Sequence, residues 1–336
     1  LRAALGWAAG ADGDSALLVA LASASGWLWQ PAGLSAEGLG WLDRALAATT
    51  PDTPPAQHAR LLSEFAIASN QRDAARELAA LEQAAALYRQ IDHRQGLYRV
   101  HIIWAKKLVW RHDLDGATRQ ADAAEALWDP SWPPTMRKGL LSARTYILEM
   151  NGQPEAGQPL MEELVALMRT HGSPGGLDAA LTELAESLFV QGKAAEAVTL
   201  RREVVRRMAD HRVAFAGMNL ANLSAALTFL GEVDEALAVA RRALPLLRIE
   251  GRVDTMLDHF GLLACRRGQH EAAARLLGCA DALWPATGFD RELSEQRAHD
   301  MLLEALQSEL PADTLALWRA EGAHDPVERA IARALA

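Results

Sequence analysis

Few residues of this 336-residue chain combine the types and spacing that chemistry requires. The ten histidines are scattered, and His270-Glu271 does not continue into HExxH, the pattern that sets two imidazoles on one helix face around zinc. Gly192-Lys193 lacks the upstream glycine of a phosphate-binding loop. No GxSxG elbow, Cys–His arrangement or spaced carboxylate pair stands out. Cys265 and Cys279, fourteen apart at apolar helix positions, form neither a CxxC pair nor a disulfide framework; they are expected to be small core residues in a reducing compartment. The expectation is a chain without catalytic residues, cofactor or metal. What remains is recognition chemistry. Lys106, Trp110, Tyr146, Glu149, Glu186, Phe189, Asn222 and His259 mix aromatic area with isolated polar groups. That is the composition of a binding groove, in which apolar surface supplies affinity and hydrogen-bonding groups supply orientation.

These residues need elements that bring them to one face, and the sequence supplies them as a repeat. Breaks rich in Gly or polar residues fall at Gly33, near Arg72, and at His112, Gly152, Gly192, Gly231 and Gly268. Their spacings of 39, 40, 40, 40, 39 and 37 residues are the period of a helical array. Five residues past the break stand Gly38, Ala117, Gly157, Ala197, Ala236 and Ala273; seven before it stand Gly26, Ala105, Thr145, Ala185, Ser224 and Gly261. Four before it stand Trp29, Leu108, Leu148, Leu188, Leu227 and Ala264. At 3.6 residues per turn, positions eleven, eight, seven and four before the break share one face. Its small members admit the paired helix and its larger ones fill the groove beside it. Near Arg72 the register is uncertain, because Glu77 occupies the small position.

The pattern is that of tetratricopeptide (TPR) repeats. It predicts an all-α, right-handed superhelical solenoid of about seven TPR-like helix–turn–helix repeats over 1–289, with a C-terminal helical cap over 290–336. Cap helices are expected at Arg291–Leu310, Ala312–Ala320 and Pro326–Ala336, where the period fails. First helices of such pairs line the concave surface, which is where the recognition residues fall, together with Trp27, Gln30, Arg99, Met218, Thr228 and Asp258. Trp110 and Phe229 alternatively seal joints between units, and Tyr146 and Phe189 alternatively pack beneath the groove floor.

Composition agrees with helix throughout. Half of the residues are apolar and 67 are Ala, the strongest helix former, while strand-type alternation is missing. With a net charge of −9 and no long basic stripe, the chain is a poor candidate for direct nucleic-acid contact. Arg201, Arg202, Arg206 and Arg207 are expected on the solvated face of an outer helix, balanced by nearby Glu. The apolar stretch Ala16–Trp29 is too short to span a bilayer and follows Asp12 and Asp14 instead of a basic segment, so no membrane association is expected. Leu1 in place of an initiator Met suggests an excerpt of a longer, cytoplasmic protein.

The ordered motifs carry a resemblance. Leu1-Arg2-Ala3-Ala4-Leu5-Gly6-Trp7, Trp27-Leu28-Trp29 and Trp41-Leu42-Asp43-Arg44-Ala45-Leu46 look like the opening of one particular array. Arg275-Leu276-Leu277-Gly278-Cys279-Ala280-Asp281, Thr287-Gly288 and Leu317-Trp318-Arg319-Ala320-Glu321-Gly322 are similar to its last repeat and tail. Over essentially its whole length the chain resembles the C-terminal sensor region of large bacterial ATPase-coupled (STAND-type) transcriptional regulators. The resemblance implies a module that binds a peptide, protein or small-molecule effector and controls an upstream ATPase switch and DNA-binding domain. Asn222 is also similar in its place to the Asn residues that hold peptide backbones in related repeats. Two other settings fit the same residues: a free-standing scaffold binding peptide segments, and the sensor array of an ATPase-coupled cyclase or kinase.

Overall fold

The computed structural model describes residues 1–29, 34–69, 73–208, 215–287, 291 and 293–336. The expected breaks at Gly33 and Arg72, the groove residue Gln30, Gly288 of the tail motif and the 289/290 boundary lie outside the described residues. Among those described, regular structure is helical. A short α1 (Arg2–Ala8) precedes seven antiparallel pairs. These are α2 (Ser15–Trp29) with α3 (Ser35–Ala47), α4 (Pro55–Ala68) with α5 (Ala74–Gln90), α6 (Arg94–Val109) with α7 (Leu114–Leu127), and α8 (Lys138–Met150) with α9 (Pro154–His171). Then come α10 (Pro174–Val190) with α11 (Ala194–Arg207), α12 (Ala216–Leu230) with α13 (Val233–Glu250), and α14 (Leu257–Arg266) with α15 (His270–Thr287). Three more helices close the chain, α16 (Leu293–Glu309), α17 (Ala312–Gly322) and α18 (Val327–Ala334). Each lies where the sequence places a cap helix.

The breaks have one common geometry. Gly152, Gly192, Gly231 and Gly268 adopt φ of 71°, 83°, 80° and 73°, and His112 adopts 58° in the same place. This left-handed residue reverses the chain and lets the next amide reach back to the carbonyl four residues before the break. Those bonds are Asp113 to Leu108, Gln153 to Leu148, Lys193 to Leu188, Glu232 to Leu227 and Gln269 to Ala264, all 2.8–3.0 Å. Glycine takes the conformation without steric cost; His112 takes it at some cost. Side-chain caps start the helices, with Asp73 accepting from the Arg76 amide and Asp113 from the Gly116 amide.

The small-residue positions meet as expected. Ala117, Ala197, Ala236 and Ala273 are fully buried, as are Ala45, Ala124, Ala243 and Ala280. Glu77 stands at its predicted small position, fully buried, and its charge is met there by other groups. Arg111 Nη2 lies 2.7 Å and Lys107 Nζ 3.5 Å from Glu77 Oε2, and the Ser69 hydroxyl donates to Oε1 at 2.6 Å. The register of the second pair is therefore the common one.

The chain divides into two compact units, Leu1–His171 and Gly172–Ala336. The first holds α1 to α9, with a core that includes Leu42, Leu61, Phe65 and Leu81. A second cluster there surrounds Tyr98, whose ring meets Trp128 and Trp132 and whose hydroxyl donates to the Met136 carbonyl at 3.2 Å. In the second unit, α17 lies against α15 closely enough that neither contact glycine has room for a side chain. A Cβ on Gly278 would stand 2.0 Å from the Arg319 carbonyl oxygen, and one on Gly322 would stand 2.0 Å from that of Arg275. Arg319 also pairs with Asp281 at 2.8 Å, and Arg275 with Glu321. The two sequence motifs read as last repeat and tail thus pack directly on one another.

Candidate functional site

The predicted residues are divided between the two units. In the first, α6 carries Lys106 and ends at Trp110, while α8 carries Tyr146 and Glu149. Lys106 donates to the buried Ser142 hydroxyl at 3.0 Å, and its ammonium lies 5.7 Å from the Tyr146 ring centroid. A lysine from one first helix is thereby held on the polar and aromatic groups of the next. Tyr146 and Glu149 are half-buried. Trp110 is 54% exposed, unusually open for a large aromatic ring, so it seals no joint. Arg99, two turns earlier on α6, reaches toward Glu64 at 3.9 Å. Burial holds the Glu64 carboxyl above its ordinary range, against the nearby Arg99 and Arg60.

In the second unit the picture differs. Glu186 on α10 is bound to Arg201 on α11 at 2.6 Å. Arg201 is itself buried, with its guanidinium 5.5 Å from the Phe189 ring centroid. This corrects the expectation of a solvated arginine cluster. Arg202 behaves as expected, pairing at the surface with Glu232 and Glu235, but Arg201 points inward from the same helix.

Phe189 and His259 lie beneath the surface and not on it. Phe189 is 1% exposed and packs edge-on against Phe229 at 4.6 Å, with the His259 ring 6.3 Å away. Packing beneath the face, the alternative stated for Phe189, is what is found. His259 is 4% exposed, and burial pulls its imidazole down to about 4, with nearby Glu186 opposing and Arg201 assisting. Its Nδ1 has no hydrogen-bond partner among the described residues. Asp258 is also buried, held by Arg291 at 2.8 Å and by the Trp284 indole at 3.1 Å. The reason is α16, which packs along α14; Leu302 sits against Gly261. The sequence places Asp258 and His259 on an open face, and the cap covers that face.

Asn222 is half-buried on α12, and its amide makes no hydrogen bond among the described residues. The same register position, nine residues before the break, is Glu183 on α10 and His259 on α14. Glu183 is a functional candidate that reasoning by residue type missed. Its Oε2 is enclosed without a hydrogen-bond partner, and no ion pair reaches it among the described residues. The repeat register could have found it, since Asn222 and His259 stand at its equivalents.

Elsewhere, a cleft of about 230 Å³ opens in the first unit beside Tyr88, Asp92, His93, Arg94 and Leu127. None of the predicted residues lines it. Cys265 and Cys279 are free and buried. Among the described residues, no three His, Cys, Asp or Glu side chains gather as metal ligands, and no helix is long and apolar enough to cross a membrane.

No protein-family model matches the chain, and no curated protein matches it either. Among solved structures, it is similar to a Rap protein complexed with Competence and Sporulation Factor, at a TM-score of 0.61 and 14% identity, covering 90% of this chain and 77% of that one. It is also similar to a Signal Transduction ATPase with Numerous Domains (STAND) protein with a tetratricopeptide repeat sensor from Pyrococcus horikoshii. That likeness has a TM-score of 0.59 at 12% identity and covers 84% of this chain. The fold is a TPR-like α-solenoid. The chain spans 43% of the STAND protein's length, and at these identities the likeness concerns the fold.

Proposed function

We propose that this TPR-like array is a non-catalytic recognition module that binds an extended peptide segment on its first-helix face. We further propose that it serves as the effector sensor of a larger ATPase-coupled regulator. The observation that carries the reading is Asn222: a half-buried amide on a first helix, with no hydrogen-bond partner among the described residues. An amide partly open to solvent with no internal partner can bond a peptide backbone, which offers both a donor and an acceptor. The shared fold of a Rap protein in complex with Competence and Sporulation Factor, and of a STAND protein with a TPR sensor, supports this choice over a purely structural solenoid.

The test is selection of randomised nine-residue peptides, displayed on phage, against the immobilised full chain. Peptides should be enriched whose capture falls when Asn222→Ala is immobilised instead. Enrichment that is indifferent to Asn222→Ala, or no enrichment at all, removes this face as the site.

A further inference from the structure

We infer that the face formed by α10 and α12 selects peptide segments carrying a lysine or arginine, with Glu183 as the residue that reads the cation. The inference rests on the peptide-binding reading above and specifies its partner.

The geometry begins with how the two helices are joined. Thr182 on α10 donates to Asn219 on α12 at 2.9 Å, and two turns further along Phe189 meets Phe229 at 4.6 Å. Between these two joints, Glu183 and Asn222 occupy the same register position on neighbouring first helices. Side chains of the two helices thus meet at both ends of this stretch, so the carboxylate and the amide flank one strip of surface between the joints. Glu183 differs from its neighbour Glu186, whose charge Arg201 already meets at 2.6 Å. Its Oε2 is shut off from solvent and no cation among the described residues meets the carboxylate, so a bound segment can reach Glu183 through its other oxygen. An ion pair at the edge of this enclosed carboxylate is stronger than one in open water, and a charged donor meets a carboxylate better than a neutral one.

The molecule itself shows what the far end of the strip accepts. Arg297 of α16 donates to the Phe189 and Val190 carbonyls at 3.2 and 3.3 Å, and its guanidinium lies 5.3 Å from the Phe229 ring centroid. Val190 and Phe229 each lie seven residues past Glu183 and Asn222, two helical turns along the same faces. Seven residues of helix rise about 10 Å, which three residues of extended peptide cover at about 3.3 Å each. One arginine from the cap therefore already occupies the C-terminal turn of the strip. A second cation, brought by a bound segment, meets Glu183 while the segment's backbone engages Asn222.

The experiment uses the same full chain and displayed library, and reads the charge of the peptides that depend on Asn222. These should be rich in Lys and Arg and poor in Asp and Glu. A fluorescein-labelled copy of the most enriched peptide, titrated by anisotropy, should bind Glu183→Gln about tenfold more weakly, the scale of one charge-assisted hydrogen bond. Glu183→Lys should shift selection toward acidic peptides, a gain that misfolding cannot produce. If Asn222-dependent peptides are neutral or acidic, or basic ones bind Glu183→Gln and wild type alike, the charge inference falls and the peptide-binding reading stands. If no peptide depends on Asn222, both fall.

Discussion

Glu77 brings a carboxylate to a position that alanine or glycine fills in the other pairs, and the fold keeps it by surrounding it. Its side chain is fully buried between α4, α5 and α6, with Arg111, Lys107 and the Ser69 hydroxyl gathered around it. Burial lowers the Lys107 ammonium below its usual range, against the pull of Glu77. Removing one member strands the others, so Glu77→Ala should cost about 3–5 kcal/mol, read from the denaturant midpoint. Arg202→Ala, at the exposed pair with Glu232 and Glu235, should leave the midpoint nearly unchanged. His259 gives a different signature. Its imidazole falls from an ordinary 6.5 to about 4 because burial disfavours the charged form. Between those values the unfolded chain holds a proton that the folded chain does not, so stability rises with pH and is lost as pH drops from about 6.5 toward about 4. In the limit the loss is about 3 kcal/mol. His259→Leu should abolish that part of the slope when denaturation is compared from pH 7 to pH 4.5; equal slopes would place the imidazole in water.

At the scale of elements, a joint between two helices tolerates volume only on its outer side. Ala236 is fully buried, its carbonyl accepting the Ser224 hydroxyl at 2.8 Å, whereas Ala238 two residues on is exposed. Ala236→Leu should overpack the α12–α13 joint and cost roughly 1–3 kcal/mol, with Ala238→Leu near zero, in the same denaturant series. Ala274, which simple helical periodicity assigns to the outside, is fully buried and fails as such a control. Its error shows where legibility ends. The helix pairs, the five turns from His112 to Gly268 and the small-residue joints are readable, because each follows from spacing along one chain. What α16 does was not readable, because it depends on which earlier helix the cap folds against. That one unreadable contact moved Asp258 and His259 from surface to interior. In the same way Arg201 shares composition with Arg202, and only the angle around α11 separates a buried guanidinium from a solvated one.

The molecule as a whole carries a net charge of −9, and the residues proposed for recognition sit on first helices in each of the two compact units. In a solenoid each helix pair draws stability chiefly from its neighbours, so exposed side chains on one face can change without loss of fold. Trp110 and Asn222 meet that condition: one is 54% exposed, and the other is half-buried with no hydrogen bond to lose. The sensor reading then makes a demand that a scaffold reading does not. A scaffold that loses affinity delivers less of its partner, whereas a sensor that loses affinity needs more effector for the same switch. In the longer regulator that the sensor reading proposes, Trp110→Ala and Asn222→Ala should therefore each move the effector dose–response to higher concentration. Protein abundance and melting temperature should change little, because neither side chain is fully buried. Reporter output, abundance and melting should be measured on the same variants across an effector titration. A reduced maximum at an unshifted midpoint would tell against sensing on these faces. Unshifted curves for both variants would direct attention to the remaining surface, beginning with the cleft beside Tyr88 and Arg94.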